Sequence, residues 1–167
     1  MSKEALFNIL NNHFNFTELR ILDLFAGTGN ISYEFASRGS QPIISVDADY
    51  GCVSFIKKTA AEFEFNLTAI KSDVFAFLEK NKSEYDIIFA DPPYGMSQAD
   101  FEKIVHLVFD NKLLSEEGML IVEHSKHTKL NHLEQLSFQK NYGGSTFSFF
   151  ELESNNTDTD EEDDSEE

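Results

Sequence analysis

Four short apolar runs, each carrying or closing on an aspartate, set the limits on what this chain can become. They read "RILDLF" (20–25), "PIISVD" (42–47), "LTAIKSD" (67–73) and "YDIIFAD" (85–91). Each is too short for a stable helix and nearly continuous in apolar residues, the pattern of a strand buried on both faces. Helical segments lie between them. "ISYEFASRG" (31–39) is stopped by Gly39. "GCVSFIKKTAAEF" (51–63) places Val53, Ile56, Ala60 and Phe63 on one side, and "VFAFLEKN" (74–81) follows the third strand. A helix over 3–13 opens the chain, and another over 99–110 and a fifth strand over 118–124 follow the fourth. Gly143-Gly144 then separates two alternating runs in a hairpin over 136–152. This alternation dictates a mostly parallel sheet covered by helices on both faces, with the hairpin as an antiparallel edge. In such sheets ligands bind beyond the carboxyl ends of the strands. Asp23, Asp47, Asp73 and Asp91 all belong near that one edge.

The first strand leads into "DLFAGTGN" (23–30), a turn into a helix that holds Gly27 and Gly29. Glycine permits the left-handed backbone and close approach that such a turn needs. The third glycine of a dinucleotide fingerprint is replaced by Ser32, and Asp23 precedes the pair. An acid there suits a cationic amino-acid end better than a pyrophosphate. Asp47 lies 18 residues after Gly29, where a carboxylate can accept both ribose hydroxyls. Asp73, at the end of the third strand, can accept an adenine amine. A ligand with an amino acid, a ribose and an adenine satisfies all three positions, and S-adenosylmethionine is that ligand. Taken singly, the glycine pair reads as a turn and each aspartate as a helix cap.

The fourth strand stops at Asp91-Pro92-Pro93-Tyr94-Gly95. Proline cannot donate to a strand ladder, so the two prolines end the strand and hold a rigid corner. An exocyclic amine on a base is a poor nucleophile because its lone pair is delocalised into the ring. A carboxylate and a backbone carbonyl that accept its two N–H groups steer the nitrogen toward tetrahedral geometry. Asp91 and the Pro92 carbonyl are placed for that task, Pro93 fixes them, and Tyr94 can stack on an unpaired base.

Charge argues the other way for a nucleic-acid substrate. The formal charge is −17, and residues 151–167 hold ten acids and no Lys or Arg. The remainder still carries 20 acids against 13 bases, and no clear basic face. Residues 1–153 are expected to form one domain and 154–167 a disordered acidic tail. The single Cys52 suits a reducing, cytoplasmic compartment. No apolar run is long enough to span a membrane. His124 and His127 lack a third ligand at metal spacing, so no metal is expected. Cys52 has no activating partner nearby in sequence. The phenylalanines at 35, 55, 63, 75, 77, 89, 101 and 109 are expected in the core.

These motifs resemble the RsmD family of class I S-adenosylmethionine-dependent methyltransferases, which act on guanine N2 in 16S ribosomal RNA. The resemblance runs through "EALFNIL", "ILDLFAGTGNISYEFASRG", "IFADPPY", "LIVEH" and "NYGGSTFSFF", nearly all of residues 4–150. It implies a Rossmann-like α/β fold with a seven-stranded sheet in the order 3-2-1-4-5-7-6, strand 7 antiparallel and helices on both faces. It implies a cofactor site at Asp23, Phe25, Ala26, Gly27, Thr28, Gly29, Asn30, Asp47, Ala48, Asp73 and Val74. It assigns the target amine to Asp91, Pro92, Pro93 and Tyr94. The implied partner is 16S rRNA or the small-subunit particle, and since nothing in the sequence suggests an interface, a monomer is expected. Family members usually begin with a basic arm that this sequence does not show. The D-P-P-Y motif also occurs in DNA adenine-N6 enzymes, and protein glutamine-N5 enzymes carry a close version. A nicotinamide oxidoreductase and an inactive binding module are the readings from other classes.

Overall fold

The computed structural model describes residues 2–153, so the acidic segment 154–167 lies outside the described residues. Helix α1 (Ser2–Asn11) precedes a regular alternation of β1 (Ile21–Leu24), α2 (Asn30–Ser37), β2 (Ile43–Asp47), α3 (Tyr50–Glu62), β3 (Leu67–Lys71), α4 (Val74–Lys80) and β4 (Tyr85–Ala90). Then come α5 (Gln98–Asp110), β5 (Leu114–Ser125), β6 (Leu136–Tyr142) and β7 (Ser145–Glu151). The sheet order is β3-β2-β1-β4-β5-β7-β6, as the family pattern implies. Strands β1 to β5 pair in parallel, while β7 runs antiparallel to both β5 and β6.

Side chains alternate across the sheet, so each central strand feeds two cores. On one face Ile21, Ile43, Ile87, Phe89 and Ile121 meet Leu6, Phe7 and Leu10 of α1 and Phe35 of α2. On the other, Leu22, Val46, Ile88 and Leu120 meet Leu78 of α4 and Phe101, Ile104, Val105 and Val108 of α5. Helix α3 covers the β3 side through Val53 and Ile56, which pack on Ala69. Burial on both faces explains why β1 and β4 read as continuous apolar runs. It also pins their register, because a slip by one residue would exchange the two cores.

Two expectations need correction. Phe63 is 61% and Phe55 51% exposed, so α3 buries a narrower stripe than its spacing suggests. Asp49 caps α3, its carboxylate accepting from the Cys52 N–H at 2.9 Å, so Asp47 is not spent on that cap. The fifth strand begins at Leu114, four residues early, with a register shift opposite Tyr85 and Ile87.

Candidate active site

The glycine turn at the end of β1 is tightly wound. Phe25, Gly27 and Gly29 all adopt left-handed backbone, with φ of 56°, 56° and 91°. A non-glycine residue there is strained, and such strain concentrates where a loop must hold one shape. The Ala26 N–H donates to Val46 of β2 at 3.0 Å, and Gly29 N–H closes the turn on Ala26 at 2.9 Å. A Cβ on Gly29 would stand 2.7 Å from the Tyr33 ring. No side chain caps α2, so its first N–H groups remain open beside the turn.

Asp47 binds this turn from the neighbouring strand. Its Oδ2 accepts from Gly27 N–H at 2.9 Å and its Oδ1 from Asp49 N–H at 2.8 Å. Two backbone donors thus hold the carboxylate still, and each oxygen retains a further lone pair. Ala48 beside it is exposed. Asp73 does what the plainer reading of the sequence allows: its Oδ2 caps α4 through Ala76 N–H at 2.9 Å. The cap leaves Oδ1 unused at an exposed position, whereas Val74 is buried under it. Thr28 and Asn30 are exposed, and Phe25 and Ala26 are half-buried along the same edge.

Asp23 is not part of that open edge. It lies within β1, is 1% exposed, and accepts from the Ser32 hydroxyl at 2.7 Å. Ser32 in turn contacts the Ser45 hydroxyl at 2.7 Å. Burial pushes the Asp23 carboxyl up to about 7, and the Ser32 hydrogen bonds oppose that rise only in part. The serine that replaces the third fingerprint glycine therefore seals the acid beneath the turn.

Beyond β4 the chain leaves the sheet at Asp91. Gly95 turns it with φ of 87°, and Met96 N–H reaches back to the Pro93 carbonyl at 3.4 Å. Tyr94 is fully exposed. Partial burial of the Asp91 carboxyl raises its pKa. The corner opens on a cleft of about 270 Å³, lined by Asp91 to Met96, Phe101, Glu123, His124, Ser125, Thr128, Gly144 and Ser145. Glu123 and His124 were not singled out as site residues by sequence reasoning. The signal existed in "LIVEH", where another parallel strand ends in an acid. His124 is tied down rather than free: Nε2 meets Ser148 Oγ at 2.6 Å and Nδ1 meets the Ser125 carbonyl at 2.8 Å. Burial lowers its pKa, so it is neutral at pH 7. A second recess lined by Lys126, Lys129, Asn131, Gln139 and Asn141 shares His124 and Thr128 with the cleft. Its two cations, Lys126 and Lys129, come from the single loop that follows β5. Among the described residues, no group of three or more His, Cys, Asp or Glu is placed to hold a metal.

This sheet order, with a glycine turn after β1 and acids at the ends of β2, β3 and β4, defines a class I methyltransferase. The 16S rRNA N2 methyltransferase RsmC of T. thermophilus, solved with AdoMet and guanosine, has the same fold, with a TM-score of 0.71. That match covers 89% of this chain and 42% of RsmC at 20% identity. The family model described as Conserved hypothetical protein 95 matches residues 1–151, and the chain belongs to that family. Ribosomal RNA small subunit methyltransferase D of Haemophilus influenzae is 28% identical over 133 residues, covering 77% of this chain and 67% of the relative. YlbH of Bacillus subtilis, whose rRNA methyltransferase name is provisional, is 30% identical over 133 residues, with 77% and 70% covered. The chain spans 61 to 70% of the length of the first four such relatives.

Proposed function

We propose that this protein is an S-adenosylmethionine-dependent methyltransferase acting on the exocyclic N2 amine of a guanine in 16S rRNA of the small ribosomal subunit. The observation that carries the reading is the placement of Asp91-Pro92-Pro93-Tyr94 between the strained glycine turn and an acceptor-rich cleft. The names of its relatives supply the RNA.

The residues along the edge fit the cofactor. The Asp47 carboxylate, held by two N–H donors, matches a ribose diol. The free oxygen of Asp73 matches an adenine amine. The turn from Phe25 to Asn30 and the open start of α2 match the amino-acid end. Asp23 acts from beneath, holding the turn through Ser32. Bound there, S-adenosylmethionine supplies an electrophilic methyl group on a sulfonium. The chain's own residues prepare the amine. Asp91 and the Pro92 carbonyl accept its N–H groups and leave its lone pair free, and Asp91 takes the proton that the methylated nitrogen gives up. Tyr94, exposed and unburdened, stacks on the extruded base. Lys126 and Lys129 meet the phosphates that flank it. Residues 1–153 make up the catalytic domain, which works as a cytoplasmic monomer.

Calorimetry with S-adenosylmethionine and with NADH, followed by nucleoside analysis of treated small subunits, tests this. Micromolar binding of the first alone, weakened in D47A, and N2-methylguanosine as product are expected. Binding of NADH, or N6-methyladenosine as product, would overturn the assignment.

A further inference from the structure

Asp91 does not stand alone at the corner. Strands β4 and β5 are parallel neighbours with Ala90 opposite Val122, so Asp91, just past the end of β4, comes beside Glu123, which is still within β5. Both line the 270 Å³ cleft, and Glu123 is half-buried. Among the described ion pairs none involves Glu123. A second carboxylate held against the first, without a cation, is an unfavourable arrangement that folding alone does not require. The lining also includes the apolar side chains of Pro93, Met96 and Phe101. The cleft therefore offers a flat base both apolar contact and carboxylate acceptors.

Guanine and adenine differ at the atom beside the amine. In guanine the N2 amine neighbours N1–H, a second donor. In adenine the N6 amine neighbours a bare N1, an acceptor. A carboxylate facing that position attracts the first and repels the second. We infer that Glu123 is the base-selecting residue, its carboxylate accepting the N1–H of the guanine whose amine is held by Asp91 and Pro92. This rests on the methyl-transfer reading above and adds what makes the site choose guanine.

The electrostatics agree. Burial first, then the Asp91 charge on the adjacent strand, raises Glu123 to about 7, while Ser145 on β7 partly offsets them. His124, next on the same strand, is neutral at that pH and gives no compensating charge. An empty site thus holds Glu123 partly protonated near neutrality, and an N1–H donor favours the ionised form.

The test uses the full chain and small ribosomal subunits from cells that lack this protein. Transfer kinetics, the pH profile of kcat/KM and the product nucleosides are compared for wild type, E123Q and E123L, with calorimetric S-adenosylmethionine affinity alongside. Wild-type kcat/KM should rise with pH through about 7. E123L should lose roughly 10- to 100-fold in kcat/KM at unchanged cofactor affinity. E123Q, nearly the same shape and still able to accept N1–H, should lose less. Its pH limb near 7 should vanish or move lower, and N6-methyladenosine should become detectable. Wild-type kcat/KM and pH profile in both variants would overturn the role of Glu123 alone. A wild type that forms no N2-methylguanosine would overturn the methyl-transfer reading, and this inference with it.

Discussion

Strand β4 carries an aspartate near each end, and the fold treats them in opposite ways. Asp86, at the start, accepts from the Arg20 N–H at 2.8 Å, from its guanidinium at 3.3 Å, and from the Ser115 hydroxyl at 2.8 Å. Burial works against its ionisation, but these bonds outweigh it and hold the carboxyl below its usual range. Asp91, just past the other end, is partly buried, and that burial raises its pKa. The same contrast runs across the whole sheet. Asp23 and Glu123, toward the carboxyl end, are both raised to about 7. The amino end of β4 spends Asp86 on stability, whereas at the carboxyl end Ser32 seals Asp23 and, among the described residues, no ion pair holds Asp91 or Glu123. Unpaired, desolvated acids mark a site because the fold gains nothing from them.

Exchanging the two aspartates for alanine breaks the comparison most directly. D91A should lose 10²- to 10⁴-fold in kcat while Tm and S-adenosylmethionine affinity stay put. D86A should do the reverse. It leaves the Arg20 N–H and Ser115 without their acceptor and should lower stability by about 2 kcal/mol, with turnover per folded molecule unchanged. Equal effects of the two on Tm would dissolve the distinction.

The pH dependence of stability separates the ends next. Asp23 has a native pKa near 7 against an ordinary 3.8. The native state therefore binds more protons than the unfolded chain between about pH 4 and 7. Stability should fall as pH rises through that window, by up to about 4 kcal/mol, and D23N should flatten the slope. Asp86 has the opposite sign: its contribution is present at neutral pH and lost on acidification below about 4. Urea midpoints across the range would show both.

Smaller effects sharpen the picture within the site. G29A forces a side chain into φ of 91° and against Tyr33, so a loss of about 2 kcal/mol is expected together with weaker cofactor binding. Y94A touches nothing that holds the fold together. It should leave urea stability within about 0.5 kcal/mol and weaken RNA engagement by about 1 to 2 kcal/mol, read as a higher KM.

The lesson for reading such a chain lies in which residues were visible. The strands, the glycine turn, the prolines and the hairpin are short-range patterns. Each follows from side-chain period, fixed φ or permitted φ within a few residues, so all of them could be read before any coordinates. Phe55 and Phe63 were misplaced because an apolar side chain on a helix is buried only where a neighbour arrives to cover it. The alternative reading of Asp47 as a cap could not be settled by spacing alone, because the cap of α3, Asp49, stands two residues on.

The sequence by itself determined the alternating elements, the edge at which the acids gather and the rigid corner at Asp91. Only the tertiary structure decided that Ser32 and Ser45 seal Asp23 beneath the turn and that Glu123 stands next to Asp91. Those pairings depend on register and strand order between segments up to tens of residues apart. Periodicity is a local property of the chain, whereas the company a carboxylate keeps is set by which strands the packed cores bring together.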